Sequence, residues 1–204
     1  NAGKRSITAD LTQAAGRTLL DGLAANAHVL LHNFAPRDMT RLGIDPERLA
    51  AVNPRLVVLS MTPFGQSGPY KDWLAEDLNL IHSGGWGWLC PGPGTDPALP
   101  PIKPFGQHAM IQSAVHGAVA ALGALFSALH TGQGEHIDFS QHEAVLTIVG
   151  RNFMNWSYAG QSDSRLSKRA YAPNGFFRCK DGHFYLVCIE EEQWTRLVEL
   201  MGNP

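Results

Sequence analysis

The sequence is poor in cysteine, with three residues among 204, namely Cys90, Cys179 and Cys188. Their number is odd and their spacing matches no metal or redox motif. This excludes a disulfide framework and predicts free thiols, mostly core fillers, in a cytoplasmic protein.

A strong charge of either sign is also lacking. The chain carries 16 lysines and arginines against 18 acidic residues, a formal net charge of −2. This balance predicts no nucleic-acid partner and no acidic membrane surface as a partner. The apolar run Val115–Leu129 is too short and too rich in glycine and alanine for a typical membrane span, so no membrane partner is expected.

Several catalytic signatures are missing from the sequence. There is no glycine-rich dinucleotide fingerprint, phosphate-binding loop, GxSxG elbow or HExxH motif. His108 and His116 do not have the spacing of a compact metal site, and we predict no metal. Glu76 and Asp77 could form a catalytic carboxylate pair. However, adjacent helical residues point apart, and acids in a first turn usually interact with the helix dipole.

The most prominent feature that is present is an apolar stretch between Lys103 and Leu146. Its middle mixes small residues with valine, leucine and phenylalanine, a pattern that predicts a long helix buried nearly all round. Glycines 132 and 134 supply a stop and a turn, and a strand over Ile137–Phe139 precedes a second helix. The polar loop 106–108 at the start of the long helix is a natural wall for an active site.

The first third of the chain alternates strand and helix patterns. We predict a strand over Arg5–Leu11, a helix over Gln13–Ala25 capped by Thr12, and buried strands over Val29–Leu31 and Arg55–Met61. Apolar strands that alternate with helices indicate an α/β fold with a parallel sheet. Ligands in such folds bind outside the carboxyl ends of strands, which are residues 9–12 and 32–36 here.

The character of the sequence changes after a polar, serine-rich stretch at residues 160–169. A β-hairpin over residues 176–189 and a helix over Glu191–Met201 follow. We predict a large domain over 1–165 and the start of a smaller α+β domain over 166–204. The abrupt ends suggest a piece of a longer protein.

Residues 33–43 join a strand end to an aromatic side chain and two arginines. They would suit an adenine nucleotide, with Phe34 stacking on the base, Arg41 binding phosphate and Asn33 bonding a polar edge. An ordinary strand–helix joint with solvated arginines explains the same residues, and spacing alone favours it. Both interpretations stay open.

Four segments occur in the order KRSITADL, NFAPRDMTRLG, NPRLVVLSMTPFGQSGPYKD and TGQGEHIDFSQHEAVL. Together they resemble the family III CoA-transferases, which include formyl-CoA and carnitine CoA-transferases and the 2-methylacyl-CoA racemases. The resemblance implies a Rossmann-like large domain, a smaller second domain and a homodimer of interlocked rings, or a tandem or hetero partner domain. It also implies acyl-CoA and a carboxylic acid acceptor as substrates.

The resemblance further implies where CoA would bind. It would lie along two segments and one side chain: Ala9, Asp10, Leu11 and Thr12; Asn33, Phe34 and Ala35; and Arg41 near the phosphates. The loop before Glu76 would approach the thioester.

The resemblance breaks at the nucleophile. Transferases of this family use an aspartate in the first turn of the central helix to attack the acyl-CoA thioester, and that position is Met110 here. A thioether cannot be acylated. The His/Asp pair of the racemases would read Glu76 and Met110.

Three interpretations follow from this departure. The chain could be the inactive half of a tandem or mixed assembly whose other half supplies the aspartate. It could use another group, with Glu76, His108 or Gln112 as candidates. It could also be a CoA-binding pseudo-enzyme with a scaffolding role.

Overall fold

The structure is a computed structural model that describes residues 3–92, 96–166 and 173–203. The chain divides into two compact units. The first comprises Asn1–Trp88 and Ile102–Ser162, and the second Leu89–Pro101 and Asp163–Pro204. The domain boundary expected near residue 165 stays a prediction.

Helices outnumber strands in the described part of the chain. In order they are α1 Ala14–Ala24, β1 Val29–His32, α2 Pro36–Leu42, α3 Pro46–Val52, β2 Val57–Thr62, α4 Asp77–Ser83, α5 Trp86–Leu89, α6 His108–Thr131, β3 His136–Ser140, α7 Gln141–Ile148, α8 Gly150–Ala159, β4 Asn174–Arg178, β5 His183–Val187 and α9 Glu191–Leu200.

The first unit is built on a parallel sheet in the order β1-β2-β3. Leu30 pairs with Val58, and Leu59 pairs with Ile137. Because strand side chains alternate between faces, Val58 points to one side of the sheet and Val57 to the other. The predicted α/β class with a parallel sheet is confirmed.

Each face of the sheet buries its own apolar cluster. On one face, Val58 packs with Met39, Leu42 and Leu49 from α2 and α3. On the other face, Val57 packs with Ala124 and Ala128 of α6. The sheet is therefore the middle layer of three. The ends of its strands lie at the edge of this three-layer arrangement.

The long helix α6 presents its small side chains to the sheet. Its buried residues are Ala109, Ser113, Gly117, Ala124 and Ala128. A β-carbon added at Gly117 would lie 2.4 Å from Cε of Met61 on β2, so the absence of a side chain there lets helix and strand approach closely.

The expectation that α6 is buried nearly all round is wrong for this structure. Its larger side chains form an exposed stripe of Ile111, Val115, Val119, Leu122, Phe126 and Leu129. The helix also has 24 residues, so by length and composition alone it could span a membrane. Length and composition are weak evidence for a membrane span, because core helices of soluble proteins meet the same criteria.

The beginning of the chain departs from prediction. In the described part of the chain no strand forms before Val29, and the expected strand Arg5–Leu11 is mostly exposed coil. Alternation alone cannot make a strand where no sheet edge accepts its hydrogen bonds. Thr12 does not cap α1, because its N–H and hydroxyl both donate to Oδ1 of Asp10. The N-cap is Gln13, which makes no side-chain cap bond.

The helix α9 and the hairpin of the second unit match the predictions closely. Asp45 caps α3 by accepting from the N–H of Glu47, with Pro46 at the first helical position. In the second unit β4 and β5 form the expected antiparallel hairpin, with Phe176 opposite Tyr185. The second helix expected after the strand of Ile137–Phe139 is instead two helices, α7 and α8, which meet at Val149.

Gly134 gives a test of this architecture. It precedes β3 and donates its N–H to the carbonyl of Pro54, and an added β-carbon would lie 2.1 Å from the carbonyl oxygen of Leu56. Gly134→Ala should therefore lower the free energy of unfolding by about 2 kcal/mol, as overpacking against backbone does. The measurement is urea unfolding followed by circular dichroism.

Gly123→Ala is the matched control. Gly123 lies within α6 with no atom within 4 Å of an added β-carbon. Alanine there should raise stability by about 0.5–1 kcal/mol through helix propensity. Equal effects of the two substitutions would contradict the packing described for residue 134.

Candidate active site

A cleft of about 620 Å³ opens where the three strands of the sheet end. Asn33, Phe34 and Ala35 line it after β1, Thr62 at the end of β2, and Gln141 after β3. The carboxyl ends of parallel strands are the usual ligand position in open α/β sheets. The volume is within the range of small-molecule sites.

Two further candidate residues lie in the same cleft. Glu76 lines it from the start of α4, and Met110 lines it from the first turn of α6. The structure thus brings together Glu76, Met110 and the segment 33–35, which are separated by 34 residues or more along the sequence.

The carboxylate of Glu76 takes part in a reciprocal helix cap. Its side chain accepts from the backbone N–H of Asn79, while its own N–H donates to Oδ1 of Asn79 at 2.9 Å. This capping box satisfies two free donors at the start of α4. Glu76 is exposed to the cleft, but part of its hydrogen-bonding capacity is already used.

Met110 contacts a residue that the sequence reasoning missed. Nε2 of the buried Gln141 lies 3.8 Å from Sδ of Met110, which is itself 50% exposed. The signal that could have found Gln141 is its place directly after a strand, the same position that Asn33 has after β1. An amide donor therefore faces the side chain at position 110.

Asp77 is structural rather than the partner of Glu76 in a catalytic pair. Its side chain is buried; Oδ1 accepts from the N–H of Ala109 at 2.7 Å and Oδ2 lies 2.7 Å from Nζ of Lys103. Lys103 also donates to the carbonyls of Pro104 and Gly106. The buried carboxylate caps α6 from α4, and this fixes where Met110 lies.

The other two candidates for a replacement nucleophile do not line this cleft. The His108 ring packs edge-on against Trp86, with centroids 5.2 Å apart. The backbone carbonyl of Gln112 accepts from Nδ1 of His116, and the side chain of Gln112 is not among those that line the cleft. Across residues 3–92, 96–166 and 173–203, no three His, Cys, Asp or Glu side chains cluster as metal ligands.

The remaining predicted CoA contacts lie outside the cleft lining. Residues 9–12 form the turn into α1, and Leu11 packs against the cluster that contains Met39 and Leu42 of α2. Arg41 is exposed on α2 and donates to Oδ1 of Asp38 at 3.0 Å. Asp38 itself lines the cleft, so Arg41 is connected to it through this pair.

A chain of polar side chains runs across the sheet below the cleft, with His32 and Ser60 buried and His136 at its exposed end. Oγ of Ser60 on β2 lies 2.7 Å from Nε2 of His32 on β1 and 2.8 Å from Nε2 of His136 on β3. Nδ1 of His32 accepts from the N–H of Phe34 at 3.2 Å. The sequence reasoning did not identify this chain, because the parallel register alone brings the three residues together.

The environment keeps His32 neutral. The pKa of His32 is lowered to about 4, mainly by burial and in smaller part by the neighbouring His136. Burial also lowers the pKa of His136, against the opposing effect of Asp138 and Asp45. A neutral His32 can keep the lone pair on Nδ1 that accepts from Phe34.

Comparison with known proteins identifies the family. The sequence model described as CoA-transferase family III matches residues 1–204. The chain belongs to this family. A structure of a CAIB/BAIF family protein from Brucella suis matches with a TM-score of 0.80 and 32% identity, covering 98% of this chain and 52% of that one.

Two curated family III relatives are subunits of one kind of enzyme. The alpha subunit of succinyl-CoA–L-malate CoA-transferase from Chloroflexus aurantiacus is 32% identical over 205 residues, covering 98% of this chain and 47% of that protein. The beta subunit is 30% identical over 207 residues, covering 98% and 50%. The chain therefore spans about half the length of the curated relatives it matches.

The neutral state of His32 predicts a pH dependence of stability. The unfolded chain takes up a proton on this histidine below its ordinary pKa of 6.5, whereas the folded chain does so only near pH 4. Stability should therefore be full above pH 6.5, fall as the pH drops from 6.5 to 4, and level off below. The share from His32 is about 3 kcal/mol, at about 1.4 kcal/mol per pKa unit.

The measurement is urea unfolding at several pH values for the unmodified chain and for His32→Gln, which cannot titrate. The difference between their stabilities should shrink as the pH falls toward 4. Parallel pH profiles would refute the assignment of this dependence to His32.

Proposed function

We propose that the protein transfers CoA between carboxylic acids and that the cleft at the strand ends binds acyl-CoA. The observation that carries this proposal is the meeting of segment 33–35, Glu76 and Met110 around one cleft in a family III chain. The acyl-CoA thioester would lie at the first turn of α6.

The nucleotide part of CoA would bind at the end of β1. Phe34 is 40% exposed and offers an aromatic face, and Asn33 offers an exposed amide beside it. Arg41 would bind phosphate in place of its exposed pair with Asp38. Such surface pairs contribute little by themselves, so the exchange is energetically accessible.

The side chain at position 110 cannot carry out the nucleophilic attack on the thioester. An aspartate there would attack the thioester carbonyl, form a mixed anhydride and release the CoA thiolate. A thioether has no displaceable proton and forms no stable acyl product. We therefore propose that this chain is the acyl-CoA-binding half of a tandem or mixed assembly in which another chain or domain supplies the carboxylate.

The relatives support an assembly of unlike parts. Alpha and beta subunits of one CoA-transferase both match this chain over nearly its whole length. A two-subunit enzyme can divide binding and chemistry between homologous chains. The interlocked dimer, the cytoplasmic location and the absence of metal, nucleic-acid and membrane partners stay predictions.

A second function is favoured by the position of Glu76. It lines the cleft together with Met110, so it could act as a base at the carbon next to the thioester in a racemase, isomerase or lyase. Its capping box with Asn79 opposes this role by engaging the carboxylate. A catalytically inactive CoA-binding scaffold is the remaining alternative.

The first test of the proposal is CoA binding. Arg41→Ala should weaken CoA affinity by about 1.5–3 kcal/mol, or about 10- to 150-fold, the range for hydrogen bonds to charged groups. The measurement is isothermal titration of the chain with CoA.

Arg196→Ala is the control. Arg196 also forms an exposed pair within one helix, with Glu192 on α9, so the change in charge is the same. Its CoA affinity should equal that of the unmodified chain. Unchanged affinity in Arg41→Ala would count against the assigned phosphate contact.

The second test restores the missing carboxylate. Met110→Asp places an acid in the first turn of α6, where the helix dipole and Nε2 of Gln141 would stabilise its charge. With succinyl-CoA and hydroxylamine, this variant should form an aspartyl hydroxamate at position 110. Mass spectrometry of the digested chain detects it.

Met110→Asn is the matched control, with the same shape and no nucleophilic oxygen anion. Neither it nor the unmodified chain should be trapped. Trapping of the unmodified chain at Glu76 would overturn the proposed division of labour and favour catalysis by this chain alone.

A further inference from the structure

The end of β1 is held by a directed chain of hydrogen bonds. Nδ1 of His32 accepts from the N–H of Phe34, so the ring proton lies on Nε2 and is donated to Oγ of Ser60. The Ser60 hydroxyl is then free to donate to Nε2 of His136. The backbone N–H of Phe34 thus fixes the donor and the acceptor in each hydrogen bond of this series.

The residues of this hydrogen-bonded series are positioned to restrict the motion of the segment that follows β1. Ser60 is fully buried and His32 nearly so, each on a different strand of the parallel sheet. The ring of His32 also stacks on Phe34, with centroids 5.9 Å apart and planes at 28°. His32 therefore holds both the backbone and the ring of a residue that lines the cleft.

We propose that His32, held by Ser60 and His136, is a positioning residue that orients Asn33 and Phe34 for the nucleotide part of CoA. It touches no substrate itself. The inference rests on the proposed function, because it explains why segment 33–35 has the conformation proposed to bind CoA.

Two substitutions separate the bonds of His32. Glutamine can reach Ser60 but has no acceptor near the Nδ1 position. Asparagine can accept from the N–H two residues later, as in an Asx turn, but cannot reach Ser60. Both remove the ring, and glutamine is the one that keeps the bond to Ser60. Weaker CoA binding by His32→Gln than by His32→Asn therefore reports the loss of the bond to Phe34, because loss of the Ser60 bond would act in the opposite direction.

His32→Gln should raise the Kd for CoA about tenfold, because a loose segment is binding-competent for only a fraction of the time. His32→Asn should stay within about threefold of the unmodified chain. Hydrogen exchange of the Phe34 amide, followed by NMR, should be faster in His32→Gln and protected in His32→Asn. Equal affinity and equal exchange in the two variants would overturn the inference.

Ser60→Ala tests the hydrogen bonds that hold His32 from β2. It should weaken CoA binding in the unmodified background and add little in the His32→Gln background, because both act through the same bond to Phe34. If His32→Gln does not fold, Ser60→Ala carries the test, and unchanged affinity and Phe34 exchange would overturn the inference. If the unmodified chain binds no CoA, the proposed function fails, and Phe34 amide exchange alone decides the positioning role.

Discussion

The geometry of the cleft depends on the buried carboxylate of Asp77. It joins the first residue of α4 to the N–H of Ala109 in the first turn of α6, with Lys103 as its counter-charge. A buried charge is tolerated only when it is paired and hydrogen-bonded, and here both conditions are met. This one side chain therefore holds Glu76 and Met110 against the same cleft.

The chain has the framework of its family, and the proposed function assigns the reacting position to Met110. The first turn of α6 lines the cleft, and Gln141 directs an amide toward position 110. The proposed site, which would position a thioester without supplying a nucleophile, would suit an assembly of two homologous halves. In such an assembly, one copy contributes rigidity and recognition and the other contributes the reacting group.

The parallel sheet explains how distant residues act together. Its register aligns His32 with Ser60, and the start of β3 places His136 on the same face. The same strands end at the cleft, so the polar contacts below the sheet edge and the residues proposed to bind CoA belong to the same backbone segments. Under this proposal, recognition and stability are coupled because Phe34 contributes to both.

Composition and periodicity alone determined the α/β class, the helices α1, α6 and α9 and the hairpin of the second unit, since these depend on local pattern. They predicted a strand at Arg5–Leu11 that the structure lacks, and they did not predict the exposed stripe of α6. Both outcomes depend on which surfaces have packing or hydrogen-bonding partners. The ordered motifs identified the family, and the departure at Met110 stays a prediction. Only tertiary structure decided that Asp77 fixes α6, that Gln141 meets Met110 and that Ser60 bridges two histidines, because these contacts join residues from separate strands and helices.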